Sequence, residues 1–166
     1  MTTSAAGLYG NFGQTNYSAA KMGLVGLMNS LKLEGKKYNI KVNTVAPLAA
    51  SRLTEDVMPP DIFAKMKPEY VAPVVLYLCS EECDESGTIV NTGMGYLNRA
   101  AILTGPAVKL GDGEEPSTPE EIRDNWEKIN SMEGAKEMPD LTSALMDLLT
   151  PPGPKTDAEA GQGGSE

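Results

Sequence analysis

Tyr17 and Lys21, in Tyr17-Ser18-Ala19-Ala20-Lys21, carry a phenol and an ammonium four residues apart. On a helix that spacing sets the two groups one turn apart on the same face. An unperturbed phenol, with a pKa of about 10, is a poor base at neutral pH, but a lysine charge within a few ångströms favours the phenolate. Such a pair can take a proton from an alcohol or return one to a carbonyl oxygen. Of the six tyrosines only Tyr17 has this spacing, because Tyr9, Tyr38, Tyr70, Tyr77 and Tyr96 are followed four residues on by Gly13, Val42, Val74, Glu81 and Ala100. Taken alone, the spacing more often describes a surface tyrosine beside a solvated lysine.

Other chemistries are excluded by what the chain lacks. It has no histidine, which removes Ser-His-Asp and Cys-His nucleophiles and most zinc sites, so Ser4 is not read as an acyl nucleophile. The two cysteines, Cys79 and Cys83, end an apolar run at helical spacing. They read as half-buried thiols rather than a redox or metal pair, since metal sites usually need four ligands. No metal site is expected. Gly7-Leu8-Tyr9-Gly10-Asn11-Phe12-Gly13 is glycine-rich, but it is neither Gly-x-Gly-x-x-Gly nor a Walker loop, and no strand-like run precedes it. It reads as a loop on the rim of a site rather than a phosphate cradle.

The elements that must position these residues follow from periodicity. Residues 15–33 should be a helix with Met22, Val25, Leu27, Met28 and Leu31 at apolar spacing and Gly35 as a stop. Ala19, Ala20, Gly23 and Gly26 give that helix a small-residue flank that another helix could approach closely. Residues 40–46 are strand-like and Pro47 should end the strand, leaving 49–60 as a loop beyond its carboxyl end, where open α/β sheets bind ligands. A short helix over 61–66, a longer one over 68–79 and a parallel strand over 88–93 follow, with 93–115 irregular. Thr118, Pro119 and Glu121 start a further helix through a cap, a first-turn proline and a capping-box glutamate, with Ile122, Trp126 and Ile129 as its packing face. Asp140 caps a helix over 141–149.

Thr3-Ser4-Ala5-Ala6-Gly7, Asn16-Tyr17-Ser18-Ala19-Ala20-Lys21 and Asn39-Ile40-Lys41-Val42-Asn43-Thr44-Val45-Ala46-Pro47 together resemble, in order, the active-site segment of the short-chain dehydrogenase/reductase family. Tyr9-Gly10-Asn11-Phe12-Gly13-Gln14, Ser51-Arg52-Leu53-Thr54, Lys67-Pro68-Glu69-Tyr70-Val71-Ala72-Pro73 and Asn125-Trp126-Glu127-Lys128-Ile129 narrow the likeness. They resemble the (3R)-hydroxyacyl-CoA dehydrogenase unit of peroxisomal multifunctional β-oxidation enzymes and their bacterial relatives. The likeness covers most of the chain up to about residue 150.

The resemblance implies an α/β fold, the C-terminal half of a Rossmann-like doubly wound parallel sheet with a helical C-terminal extension. Residues 1–100 would be the C-terminal part of the dehydrogenase domain, 101–150 the helical extension and 151–166 a disordered tail. The family's glycine-rich turn, its ribose-selecting residue and its catalytic asparagine on an earlier helix have no counterpart here, so the chain is expected to be inactive alone. By resemblance Tyr17 is the base, Lys21 lowers its pKa and holds the nicotinamide ribose, and Ser4 bonds the substrate oxygen. Pro47, Ala49, Ala50, Ser51 and Arg52 would sit against the nicotinamide end of NAD, with NADP an open alternative. The family's more usual Pro-Gly is Pro47-Leu48 here. The substrate implied is a 3-hydroxyacyl-CoA or a similar secondary alcohol or ketone. The family's counterpart of the Tyr17 helix pairs with its copy, so a homo-oligomer or pairing with the N-terminal half is expected. The other class of function left open is a non-catalytic module that associates with a full-length relative.

Charge bounds the partners. With 14 basic and 23 acidic residues, a net charge of −9 and a pI near 4.6, nucleic acid and anionic membranes are not expected partners. Coenzyme A phosphates would need a local basic cluster, for which Arg52, Lys65, Lys67, Arg99 and Lys109 are the candidates. No apolar run reaches the ~18 residues of a membrane span and no signal-peptide pattern opens the chain, so a cytoplasmic place is expected, or a peroxisomal one within a larger multifunctional protein.

Overall fold

A computed structural model describes residues 1–51, 59–111 and 114–150, and the chain divides into two compact units, Met1–Ala101 and the part from Ile102 onward. In the first unit residues 1–3 run parallel to the later strand β1. Thr3 N donates to the Val45 carbonyl at 2.8 Å and Val45 N to the Met1 carbonyl at 2.9 Å, around a Thr2–Val45 bridge. This short edge is the strand-like run not apparent in the sequence. Helix α1 (Ala5–Tyr9) follows at once, with Ser4 as its N-cap. Gly10 (φ 77°) and Gly13 (φ 78°) then turn the chain through left-handed geometry that a side chain rarely adopts.

Helix α2 (Thr15–Gly35) buries Val25 and Met28. Its other flank carries Ala19, Ala20, Gly23 and Gly26, exposed, with open space where a Cβ would stand on either glycine. Gly35 is the last helical residue rather than a stop beyond the end. A Cβ there would come within 3.0 Å of the Ile40 carbonyl oxygen, so glycine serves the close return of the chain. The left-handed residue is instead Asn39, at φ 55°.

Strand β1 (Thr44–Leu48) begins later than the apolar run suggested and contains Pro47 instead of ending before it. Residues ahead of it are tied by side chains: Val42 N donates to Ser86 Oγ at 3.0 Å, while Asn43 gives Nδ2 to the Glu85 carbonyl and takes Thr88 N on Oδ1. Pro47 is tolerated because Val45 N points to the residue 1–3 edge and Thr44 N to Thr88. Alternation then aims the missing N–H of Pro47 at the side where that edge ends, costing the ladder nothing on the other.

Helix α3 (Pro60–Phe63) and a 3₁₀ turn over Pro68–Tyr70 lead to α4 (Ala72–Leu78). The single helix expected over 68–79 is divided, since Pro68 and Pro73 each fit only a first helical turn. It ends before Cys79, so the two cysteines do not share a helical face: Cys79 is exposed and Cys83 buried, both free. Among the described residues no cluster could hold a metal ion. Strand β2 (Ile89–Gly93) pairs in parallel with β1, from Thr44 opposite Ile89 to Leu48 opposite Gly93. Residues 94 and 95, at φ 52° and 84°, then turn directly into β3 (Tyr96–Ala100), antiparallel to β2. This hairpin occupies part of the stretch expected to be irregular, its signal weakened by Met94 at a left-handed position usually filled by Asn, Asp or Gly. The sheet is thus mixed, with the order β1-β2-β3. Val25, Met28 and Ile89, flanked by Leu8, Val42 and Ala100, form a core between α2 and the sheet.

In the second unit β4 (Leu103–Thr104) precedes α5 (Pro119–Asp124) and α6 (Trp126–Ile129) and pairs with β5 (Lys136–Glu137). The Thr118–Glu121 capping box is complete. Ile122, Trp126 and Ile129, expected to pack, remain exposed. Helix α7 (Leu141–Leu149) is capped by Asp140, which accepts Ser143 N at 2.7 Å. Among the described residues no helix is long and apolar enough to cross a membrane.

Candidate active site

Ser4, Pro47 and Met94 share one edge of the first unit. Counting two residues along both chains from the Thr2–Val45 bridge sets Ser4 level with Pro47, and Met94 follows the carboxyl end of the neighbouring strand β2. Loops at the carboxyl ends of parallel strands are where such sheets bind ligands. Ser4, half-buried with extended backbone, accepts Ala6 N at 3.2 Å. Among the described residues its hydroxyl proton makes no hydrogen bond, so it can be given to a substrate oxygen.

Tyr17 lies in the first turn of α2, 42% exposed, its N–H held by Asn16 Oδ1 at 2.8 Å. Lys21 Nζ stands 5.6 Å from the centre of the Tyr17 ring. It donates to the Thr2 carbonyl at 3.0 Å, which stretches the lysine back toward the edge strand. A second anchor comes from Thr3, 1% exposed, whose Oγ1 donates to the Lys21 carbonyl at 2.7 Å. Thr2 and Thr3 therefore fix where Lys21 sits. Sequence reasoning gave neither residue a role, although Thr3 heads the Thr3-Ser4-Ala5-Ala6-Gly7 segment.

Gly7 closes the arrangement. A Cβ on it would lie 2.9 Å from both Lys21 Cβ and the Met22 backbone nitrogen, so α1 touches α2 at the lysine itself. Gly7→Ala in a helix would ordinarily gain about 0.5–1 kcal/mol, but overpacking against backbone costs about 1–3 kcal/mol. The expected net result is a lower urea midpoint for the full chain; a raised midpoint would mean that α1 moves away at no cost.

Of the other residues singled out, Pro47 is half-buried within β1 opposite Thr92, and Ala49 and Ala50 are half-buried just beyond it. Ala50 N donates to the Met66 carbonyl at 2.5 Å. Ser51 is exposed, and Arg52 lies outside the described residues. The structure therefore sets Tyr17 and Lys21 one turn apart on α2 with Lys21 against α1 at Gly7, and places Ser4 at the head of α1 and Pro47 within the adjoining strand β1. Tyr9, exposed, accepts Asn91 Nδ2 at 3.0 Å and so ties the end of α1 to β2.

Residues 1–58 match the family model described as short chain dehydrogenase. The peroxisomal multifunctional enzyme type 2 of Mus musculus is 46% identical over 152 residues, covering 90% of this chain and 21% of that protein. A putative short-chain type dehydrogenase/reductase of Mycobacterium tuberculosis is also 46% identical, over 136 residues, covering 82% of this chain and 46% of the relative. The chain belongs to the short-chain dehydrogenase family. The structure of full-length peroxisomal multifunctional enzyme type 2 from Drosophila melanogaster matches with a TM-score of 0.79 and 37% identity, covering 90% of this chain and 27% of that one. This short-chain dehydrogenase chain thus spans between about a fifth and about a half of the length of these relatives.

Proposed function

We propose that the chain carries the proton-transfer machinery of an NAD-dependent (3R)-hydroxyacyl-CoA dehydrogenase. The observation that carries this is the Tyr17–Lys21 pair anchored on the Thr2 carbonyl beside Ser4. Its multifunctional-enzyme relatives support the choice of substrate, an acyl thioester, and a peroxisomal place when the chain belongs to such a protein; otherwise its place is the cytoplasm.

The nicotinamide ribose end of a dinucleotide fits the donors present. Lys21 gives one of its N–H groups to Thr2, leaving the others for a ribose diol, and no hydrogen bond engages the Tyr17 hydroxyl among the described residues. When bound, the dinucleotide supplies the acceptor for the hydrogen on the alcohol carbon. Tyr17 takes the hydroxyl proton, Ser4 donates to the same oxygen as charge develops on it, and Lys21 keeps positive charge beside the phenol. Pro47, Ala49, Ala50 and Ser51 would line the approach to the nicotinamide end, while Arg52, carried over by resemblance, lies outside the described residues. A Gly-x-Gly-x-x-Gly turn for the pyrophosphate is not among the 166 residues, so turnover calls for this chain together with a dinucleotide-binding half.

Co-expression with the N-terminal half of the mycobacterial relative tests the proposal. Oxidation of a (3R)-hydroxyacyl-CoA with production of NADH is expected, with the 3S substrate inert. A co-folded preparation that oxidises neither would favour the association module instead, for which the exposed small-residue flank of α2 is the supporting feature.

A further inference from the structure

A second group of side chains at the carboxyl edge is basic. Lys65 and Lys67 stand on the rim of an open groove of about 660 Å³ whose walls include Ile62, Tyr70, Met94 and Tyr96. Among the described residues no acidic side chain lines it. Neither lysine is ion-paired among the described residues. In a chain with a net charge of −9, two unneutralised ammonium groups beside two aromatic rings form a local field opposite to that of the whole molecule. Of the cations considered from the sequence as candidates for phosphate binding, Lys65 and Lys67 line this groove together.

We propose that this groove holds the phosphorylated nucleotide end of coenzyme A, with the thioester arm running along the sheet edge to Ser4 and Tyr17. The inference rests on the reading of the substrate as a coenzyme A thioester. Ammonium groups make strong charge-assisted bonds to phosphate, and a purine can lie against a tyrosine face. The placement also fits. Met94 directly follows β2, and only β1 separates β2 from the edge strand ending at Ser4. With strands ~4.8 Å apart, Met94 at the groove wall lies about 10 Å across the sheet from Ser4, within the reach of the arm that joins the nucleotide to the reacting carbon.

The test is titration of the full chain with coenzyme A, followed by amide NMR, and repeated with adenosine 3′,5′-bisphosphate. Expected are shifts at Lys65, Lys67, Tyr70 and Tyr96 with both probes. Lys65→Glu with Lys67→Glu should weaken binding by about tenfold or more, and Lys65→Gln with Lys67→Gln should act in the same direction. Lys36→Glu with Lys37→Glu makes the same change in net charge on the exposed turn after α2 and should leave affinity within about twofold. Equal weakening by the two Glu pairs, shifts elsewhere, or no binding overturns the groove. In the co-expressed enzyme, (3R)-hydroxyacyl-CoA oxidation that depends on Tyr17 but ignores the Lys65 and Lys67 charge reversal overturns the groove alone. Coenzyme A bound at these lysines without Tyr17-dependent oxidation overturns the dehydrogenase reading alone.

Discussion

Tyr17→Phe should lower single-turnover oxidation of a (3R)-hydroxyacyl-CoA by at least ~100-fold, the low end of what a positioned acid or base contributes. The phenyl ring keeps its stacking distance from Lys21 and loses only the oxygen. Because Tyr17 is 42% exposed and its N–H bond to Asn16 is unaffected, stability should barely change. The control is Tyr9→Phe, on the same helix-turn-helix segment. Its hydroxyl accepts Asn91 Nδ2, but that amide also donates to Asn98 Oδ1 at 2.8 Å, so the deletion leaves Asn91 Nδ2 with a partner. A rate loss of only a few fold is expected there. If the two variants slow turnover alike, proton transfer does not run through Tyr17.

Much of this site could be read from the chain because its parts are local. Tyr17 and Lys21 lie on one helix, where spacing alone fixes which side chains share a face. The same holds for the Thr118 and Asp140 caps, whose partners are three residues away. What escaped depends on contacts between distant segments. The place of Lys21 is set by Thr2 and Thr3, and nothing in residues 1–3 looks like a strand until Val45 lies alongside. Pro47 seemed to end β1 because a proline removes a donor; whether that donor matters depends on which neighbour it faces. The β2–β3 hairpin was obscured for a third reason: β3 is almost wholly exposed, so no alternation of apolar and polar residues marks it. The convergence of Lys65 and Lys67 with Tyr96, across about thirty residues of chain, has no sequence signature at all.

Lys21→Met and Ser4→Ala should separate two ways of stabilising the same oxygen. Lys21→Met removes both the charge beside the Tyr17 ring and the donor left for a ribose diol, so it should raise the Kd for NAD as well as slow single-turnover oxidation. Met retains the aliphatic stem that meets Gly7, so packing is largely preserved. Ser4→Ala should instead slow single-turnover oxidation by about 100-fold or more and leave the Kd for NAD unchanged, because it removes a donor to the developing oxyanion and no contact to the ribose. Ser4 also caps α1 through Ala6 N, and losing that cap costs about 1 kcal/mol. Ser4→Gly resolves the overlap: glycine at an N-cap costs only a few tenths of a kcal/mol, so it should restore stability and not the rate. Recovery of the rate in Ser4→Gly would make Ser4 a cap and nothing more. A Lys21→Met variant with an unchanged rate at saturating NAD and only a raised Kd for NAD would confine the lysine to holding the ribose, and what assists Tyr17 would then lie outside α2.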